Sequence, residues 1–575
     1  MKDEDIIFQA KEHYMEAVTG WSHIYDEATN DLKFVYDVDE GQWPEEIRRK
    51  RVSAGRPIIT VNKLQKFVRQ LRGDQMQNRP RIKVIPVDSK ADVQMAELYN
   101  GLIRQIEYLS GAETAYDTAY MHAISSSIGF FRIITKYADD NSFDQDIFIK
   151  RIINPMAVHY DPYAQEFELE DARYCFVEEL VDQKDFEDRF PKAEATNFES
   201  NRDLFGEWMT QDKVRVAEYF YKEPVKKTIV SLDTGEVVEL TPKLTIARIK
   251  EMGGVIVRER QVDTHKVMWY KMTGAEILEK SEWPGKDIPI IPVFGDEIVA
   301  EGKKYYLSLA RGAKGPQQMY NYWATAATET VALAPKMPFI VDHKQIKGFE
   351  TEWDEANTEN RMYIRYNAVA GMEKPHKELQ TQIPAAIMNM MQTTAFDIED
   401  HLGRYEASKG EASNERSGKA IIARIAQSDK GTYTFIDNLT RAIVFAGRQL
   451  IDLIPKIYDT PRAMRVMGED GAEKLVEVNQ PVGFQENGEV AVANDLSVGQ
   501  FDLIASIGAS YSSKRQEMVD TLLQAMQYAP GVANIIVPMI FKYSDAPASQ
   551  EVYEEIKKGI AQQQQMLAQG VEPPK

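Results

Sequence analysis

The chain has 575 residues, 43% hydrophobic and 27% charged, which is length enough for several domains with buried cores and the balance of an ordinary water-soluble protein. No apolar run approaches a membrane-spanning helix, since Ala533 to Phe541 is interrupted by Pro538, and the acidic start from Met1 to Asp5 does not read as a signal peptide. A net charge of -20 argues against a broad basic face that grips nucleic acid, because such grip comes from phosphate neutralisation, and one cysteine, Cys175, excludes an internal disulfide framework and fits a reducing cytoplasm.

In chain order, Phe8, Tyr14, Val18, Trp21, Ile24 and Tyr25 mark an amphipathic helix within Ile6 to Tyr36. The basic run Arg48 to Arg51 reads as a solvated helix face. Arg56 to Asn62 is extended and leads to a helix capped near Asn62, carrying Leu64, Phe67, Val68 and Leu71 and predicted to stop at Gly73. Asn78 to Pro86 is a strand bounded by prolines. Two helices follow, Met95 to Tyr108 and Thr114 to Ile124. A hairpin then joins strands Phe130 to Tyr137 and Ile147 to Ile153 across the polar turn at Asp139 to Ser142. Asn154 with Pro155 and Asp161 with Pro162 start turns. Cys175 to Leu180 is read as a strand and Gln183 to Phe190 as a short helix. Val214 to Tyr221, Thr228 to Ser231, Val237 to Leu240, Leu244 to Lys250 and Val255 to Met272 read as a strand-rich meander. Pro289 and Pro292 argue against an ordinary central strand over Ile288 to Phe294, which is read as an extended linker.

The organising stretch is Tyr305 to Tyr458. A helix opens near Pro316 and carries Met319, Tyr320, Trp323, Ala326, Ala327 and Leu333 until Pro335 and Pro338 end it, a rod of roughly 27 Å. A second rod starts near Pro384 with Ile387, Met391, Thr394, Ile398 and Leu402 on one face. Between the rods, Met337 to Ile340 and Met362 to Tyr366 read as short strands of a small mixed lobe. The polar stretch Arg404 to Gly418 reads as a mobile loop. Ile421, Ile425, Thr432, Phe435, Leu439, Ile443, Ala446, Leu450 and Leu453 then hold one face of a helix of roughly 57 Å from Ser417 to Ile454, with Gly431 as its kink point. Beyond it come short strands in Ala463 to Val478 and Phe501 to Ile507, a capping box at Ser513 to Gln516, and helices through Tyr528 and over Gln550 to Leu567.

Nothing in this pattern supports catalysis. Gly418 and Lys419 suggest a phosphate-binding loop, but that motif requires glycine where Ser413 stands and Ser or Thr where Ala420 stands. Asp397, Glu399, Asp400 and His401 cluster on the second rod, yet helical spacing spreads them around its surface instead of converging them on a metal. A metal-dependent nuclease using Asp397 is the lowest-ranked reading, below a non-enzymatic scaffold or adaptor.

The order of helix, small lobe, helix, loop and long kinked helix, with the Phe131 to Asp171 hairpin region containing Asn154, Pro155, Tyr160, Asp161 and Pro162, resembles the portal proteins of tailed phages, in particular the P22-like family. That resemblance implies an α+β multidomain, ring-forming portal fold. Its parts would be a mixed wing over 1–302, a first stem helix region over 303–334, a clip over 335–380 and a second stem helix over 381–403. A channel loop over 404–418, a long kinked wing helix over 419–460 and a mainly helical crown over 461–575 complete it; the sequence shows no long C-terminal coiled coil such as some members of that family carry, so no long barrel is expected. It implies a dodecamer at one capsid vertex that passes double-stranded DNA during packaging and ejection. The implied partners are further copies of the chain, the large terminase subunit, tail adaptor or head-completion proteins, and the major capsid and scaffolding proteins. No membrane, cofactor, metal or catalytic residue is implied. The setting is the virion after assembly in host cytoplasm. Arg404, Lys409, Arg416 and Lys419 are the candidates for contact with DNA in the channel, and Phe349 and Trp353 those for terminase docking on the clip.

Overall fold

The computed structural model describes residues 2–77, 79–87, 93–191, 193, 209–210, 213–233, 235, 237–240, 245–251, 253–333, 339–356, 361–377, 385–402, 433–467, 473–484, 490–507, 522–523, 525–526, 536–540 and 556. Helix α1 (Asp3–Tyr36) buries Ile6, Ala10, Tyr14, Ala17, Trp21, Ile24, Ala28, Asp31, Phe34 and Val35, a stripe of three- and four-residue steps. At 1.5 Å per residue it is about 51 Å long, and its successive turns enter three separate apolar clusters. It is the spine that ties them together.

Helix α2 (Leu64–Gln77) starts where Asn62 accepts the Gln65 amide at 3.1 Å. It runs past Gly73, against the sequence expectation. The roughly 1 kcal/mol cost of an interior glycine is offset by packing: Leu71 is buried before it, and beyond it Gln75 donates to Asp117 at 3.1 Å. Strand β1 (Pro80–Pro86) leads to α3 (Val93–Ser110) and α4 (Ala112–Ser126), then to the hairpin β2 (Ile128–Tyr137) and β3 (Gln145–Arg151). The predicted turn is present, with Asp139 accepting the Asn141 amide at 3.0 Å.

The largest sheet is antiparallel, in the order β8-β7-β6-β5-β4: β4 (Val158–Tyr160), β5 (Tyr174–Asp182), β6 (Lys213–Leu232), β7 (Ile256–Met272) and β8 (Ile277–Trp283). Sequence reading split β6 into two strands, but it is continuous over 20 residues through Pro224. Between the end of its β5 ladder at Tyr221 and the short strand Val237–Glu239, which begins pairing at Ile229, β6 has a ladder partner on one side only. A proline is tolerated at such an edge. The expected strand at Leu244 to Lys250 is instead a short helix, Ile246–Glu251, which buries Ile249.

Ile288 to Phe294 is not a linker. Strand β9 (Ile290–Phe294) is the edge of a three-stranded sheet, β9-β2-β3, and every one of its residues is buried. An edge position removes the objection to Pro292, and burial of that edge is made possible from outside the sheet. The hairpin β10 (Asp296–Ala300) and β11 (Lys303–Leu307), absent from the sequence reading, then delivers the chain to helix α5 (Lys314–Leu333). Helix α6 (Ala385–His401) packs against α5 as a hairpin.

Helix α7 (Tyr433–Ile457) carries the strongest apolar face among the described helices, with Phe435, Leu439, Ile443, Ala446, Leu450 and Leu453 all buried as expected. It covers the β9 edge, and Asn438 donates to the carbonyls of Phe294 at 3.1 Å and Gly295 at 3.0 Å, while Gln449 donates to Ile288 at 3.1 Å. Those side-chain amides supply the donors that a further strand would have given. The expected stretch from Ser417 through Gly431 lies outside the described residues. After α7, β12 (Arg462–Met467) pairs with β13 (Glu473–Val478), and β14 (Phe501–Ile507) pairs antiparallel with β1. The β1-β14 ribbon rests on α7 at Gly447, where a Cβ would lie 2.5 Å from Ile82 and 2.6 Å from Leu503. The C-terminal half is thus built into the same core as the N-terminal half. The capping box at Ser513 and most of the C-terminal helices lie outside the described residues.

Candidate channel hairpin and docking lobe

Two features fix the α5-α6 hairpin to the body. At the start of α5, fully buried Asp31 of α1 accepts from Ser308 Oγ at 2.6 Å, Arg311 Nε at 2.9 Å and Lys314 Nζ at 2.5 Å, and Arg311 also reaches Glu27 at 2.7 Å. Two cations and a hydroxyl around one carboxylate satisfy a charge that burial would otherwise make costly.

Among the described side chains of α5 the buried ones are polar except Ala324. Gln317, Asn321 and Thr325, spaced by four, face the extended segment Ile59 to Lys63. Gln317 Oε1 accepts the Lys63 amide at 3.0 Å and its Nε2 donates to Val61 O at 2.9 Å. Asn321 Oδ1 accepts the Val61 amide at 3.0 Å, and Thr325 Oγ1 accepts the Ile59 amide at 3.2 Å. Glu329 continues the row and pairs with Arg51 at 2.8 Å, whose Nε donates to Pro57 O at 3.1 Å. Four helical residues rise about 6 Å and two extended residues about 6.6 Å, so alternate main-chain groups of a strand meet every fourth side chain of a helix. The stripe that sequence reading assigned to α5 lies elsewhere: Met319 is 50% exposed and Tyr320 and Trp323 are only half-buried. On α6 the predicted stripe holds in its second half, with Thr394, Ile398 and, just past the helix, Leu402 buried, while Ile387 and Met391 are half-buried.

Between the two helices lies a small mixed lobe. Phe339–Ile340 pairs with His376–Lys377, not with Met362 to Tyr366, which forms no strand. The short helices His343–Ile346 and Glu350–Asp354 lie between the paired strands. Trp353 and Phe349 are half-buried and face inward. Trp353 Nε1 donates to Arg365 O at 2.8 Å and its ring meets Phe339 edge-on at 5.1 Å, while the Arg365 guanidinium lies 4.9 Å from the Phe349 ring centre. Arg365 Nε also donates to Glu352 at 3.0 Å; that bond holds the Glu352 carboxyl low and the guanidinium high. The segment so pinned presents Met362, fully exposed, and Tyr363, 76% exposed. Sequence reading missed both as surface candidates because it placed them in a strand.

Arg404, Lys409, Arg416 and Lys419 lie outside the described residues. On α6, Asp397 and Asp400 are exposed and Glu399 is half-buried, and among the described residues no three His, Cys, Asp or Glu side chains are arranged to hold a metal. Among the described residues no helix is long and apolar enough to cross a membrane.

A helical hairpin with a lobe between its arms, fixed to a body closed by one long helix, is the layout on which the comparison with known proteins bears. The family model for the phage P22-like portal protein matches residues 11–574. The chain belongs to the phage P22-like portal protein family. A protein named portal protein, from Acyrthosiphon pisum secondary endosymbiont phage 1, is 24% identical over 554 residues, which cover 90% of this chain and 74% of that one. This is therefore a bacteriophage portal chain of mixed helix and sheet, and a head-to-tail connector role in genome packaging follows from the family.

Proposed function

We propose that about twelve copies close into a ring at one capsid vertex, a closed cyclic arrangement of the kind that identical subunits with a head-to-tail interface form. Through it double-stranded DNA is packaged and later ejected. The family match over 11–574 carries this reading. The α5-α6 hairpin is the stem, the lobe between its arms is the clip, and 404–418 is the channel loop. The clip receives the packaging terminase, then tail or adaptor proteins, and the ATP chemistry belongs to the terminase. The net charge of -20 per copy keeps the duplex from adhering to the wall. Arg404, Lys409, Arg416 and Lys419 make transient phosphate contacts as DNA passes.

Negative-stain electron microscopy with mass photometry on the purified full-length chain tests the ring. Rings of about a dozen subunits with a central hole are expected; open-ended or dimeric assemblies, or monomers at every concentration, overturn the proposal. In heads built with such rings, replacing the four loop cations by alanine lowers DNA retention. Unchanged retention and packaging would remove their role while leaving the ring intact.

A further inference from the structure

Away from the hairpin, the first turns of α1 and the face of the large sheet enclose a cavity of about 200 Å³, lined by Ile6, Gln9, Tyr219, Tyr221, Glu223, Met268, Tyr270 and Lys280. Strand geometry explains the lining. Tyr219, Tyr221 and Glu223 alternate along β6 and share one face; Tyr270 and Met268 sit opposite Tyr219 and Tyr221 on β7, and Lys280 sits opposite Tyr270 on β8. The Tyr219 ring lies 6.1 Å from that of Tyr221 and 5.8 Å from that of Tyr270, with planes tilted by only 18° and 26°. Tyr219 is itself fully buried, stacked on Phe176 at 4.5 Å and bonded through its hydroxyl to His13 at 2.8 Å, so it backs the site, and the rings beside the open space are Tyr221 and Tyr270.

The charge at this cavity is not balanced internally. Lys280 is held by Asp3 at 2.9 Å, and Lys266, which faces Glu223 across the β6-β7 ladder, is held by Glu282 at 3.1 Å. Glu223 is left with no ion pair or hydrogen bond among the described residues. The field has the corresponding sign: burial pushes the Tyr270 phenol up, and the carboxylates of Glu223 and Asp3 push it further. Ring faces and an unpaired carboxylate together favour a cation, and the volume suits about six waters or one alkylammonium chain end, well below the room a drug-sized ligand takes.

We propose that this tyrosine-lined cavity binds a primary ammonium or guanidinium on an alkyl chain, with Glu223 as the counter-ion and Tyr221 and Tyr270 as the flanking rings. The same chemistry is offered by a free polyamine and by a lysine or arginine side chain of another protein. The site is independent of the channel and docking readings above.

Titration of the full-length chain with n-butylammonium, followed by ligand-observed saturation-transfer NMR, tests it. The wild type binds butylammonium and not the neutral isostere 1-butanol. Glu223→Gln, which keeps the side chain's shape, weakens binding about fivefold, as removal of one partly exposed charge implies. Tyr221→Leu weakens it about threefold through loss of a ring face. Lys280→Met, which removes a competing cation and frees Asp3, strengthens it. Equal binding of butanol, no effect of Glu223→Gln, or weaker binding by Lys280→Met with unchanged circular dichroism each overturns the proposal. Spermidine bound more tightly than N-acetyl-lysine methylamide supports a free polyamine as the occupant; comparable binding of the capped lysine supports a protein side chain.

Discussion

Glu218 shows how single residues set the conditions under which this chain holds together. Its carboxylate takes a two-pronged bond from Arg132, at 2.9 and 2.7 Å, and a third from Trp269 Nε1 at 2.9 Å. Burial works to raise the carboxyl, and these donors overturn that, holding it below the usual carboxylate range. Asp161 and Glu178 are lowered in the same way, against burial, by Arg173 and by His159 with Tyr14 respectively. For a carboxyl lowered on folding, the stabilising contribution is complete above its unfolded pKa, about 4, and is lost as pH falls through the folded value. His13 and His122 are lowered chiefly by burial, so their loss begins earlier, as unfolded imidazoles take up protons below about 6.5. Buried Glu107 is raised and slopes the opposite way. Denaturant titrations from pH 7 to pH 3 should therefore show stability falling in two stages. Glu218→Gln should cost about 2 kcal/mol at pH 7 and flatten the stage below about pH 4. An acid limb as steep in the variant as in the wild type would show that the Arg132 pair is not part of it.

Among the elements, α5 is held by chemistry that its sequence conceals. Its apolar residues suggested a greasy stripe, but the buried face is Gln317, Asn321 and Thr325, and their partners are main-chain groups 254 to 266 residues earlier. Periodicity arguments see spacing of apolar residues along one segment; they have no access to a strand that arrives from so far away. Where the partners are apolar the same arguments succeed, fully on α7 from Phe435 to Leu453 and on α6 for Thr394, Ile398 and the adjoining Leu402. The edge strand β9 escapes a sequence reading for a related reason: Pro292 excludes only a central strand, and the edge position that tolerates it is set by pairing with the distant strand β2. Replacing Asn321 by leucine tests the ladder. A sequence reader would expect Leu to extend an apolar face, whereas the structure leaves the Val61 amide and Gln42 Oε1 without their partner and Gln317 Nε2 with one of its two acceptors. A loss of about 3 kcal/mol is expected, with faster hydrogen exchange at the Val61 amide. A neutral substitution would mean that the strap contributes nothing to holding α5.

At the scale of the whole molecule, most of the candidate architecture was legible because each arm of the hairpin is a separate long periodic segment, while its fine surface was not. Phe349 and Trp353 were singled out as aromatic residues in a polar lobe, and such residues are as easily structural as functional. In the structure they hold the Arg365 segment from beneath, and the residues that segment exposes are Met362 and Tyr363. The two pairs therefore separate docking from folding. Met362→Ser with Tyr363→Ser should weaken terminase or adaptor binding about tenfold, the loss of two exposed anchors at an interface, with amide exchange over 361–367 unchanged. Trp353→Ala should weaken binding as well, but only together with faster exchange across 361–367, because it removes the donor to Arg365 O. If Trp353→Ala abolished binding while exchange in that segment stayed at the wild-type rate, the indole itself would be the contact, and the inward-facing geometry would not describe the assembled ring.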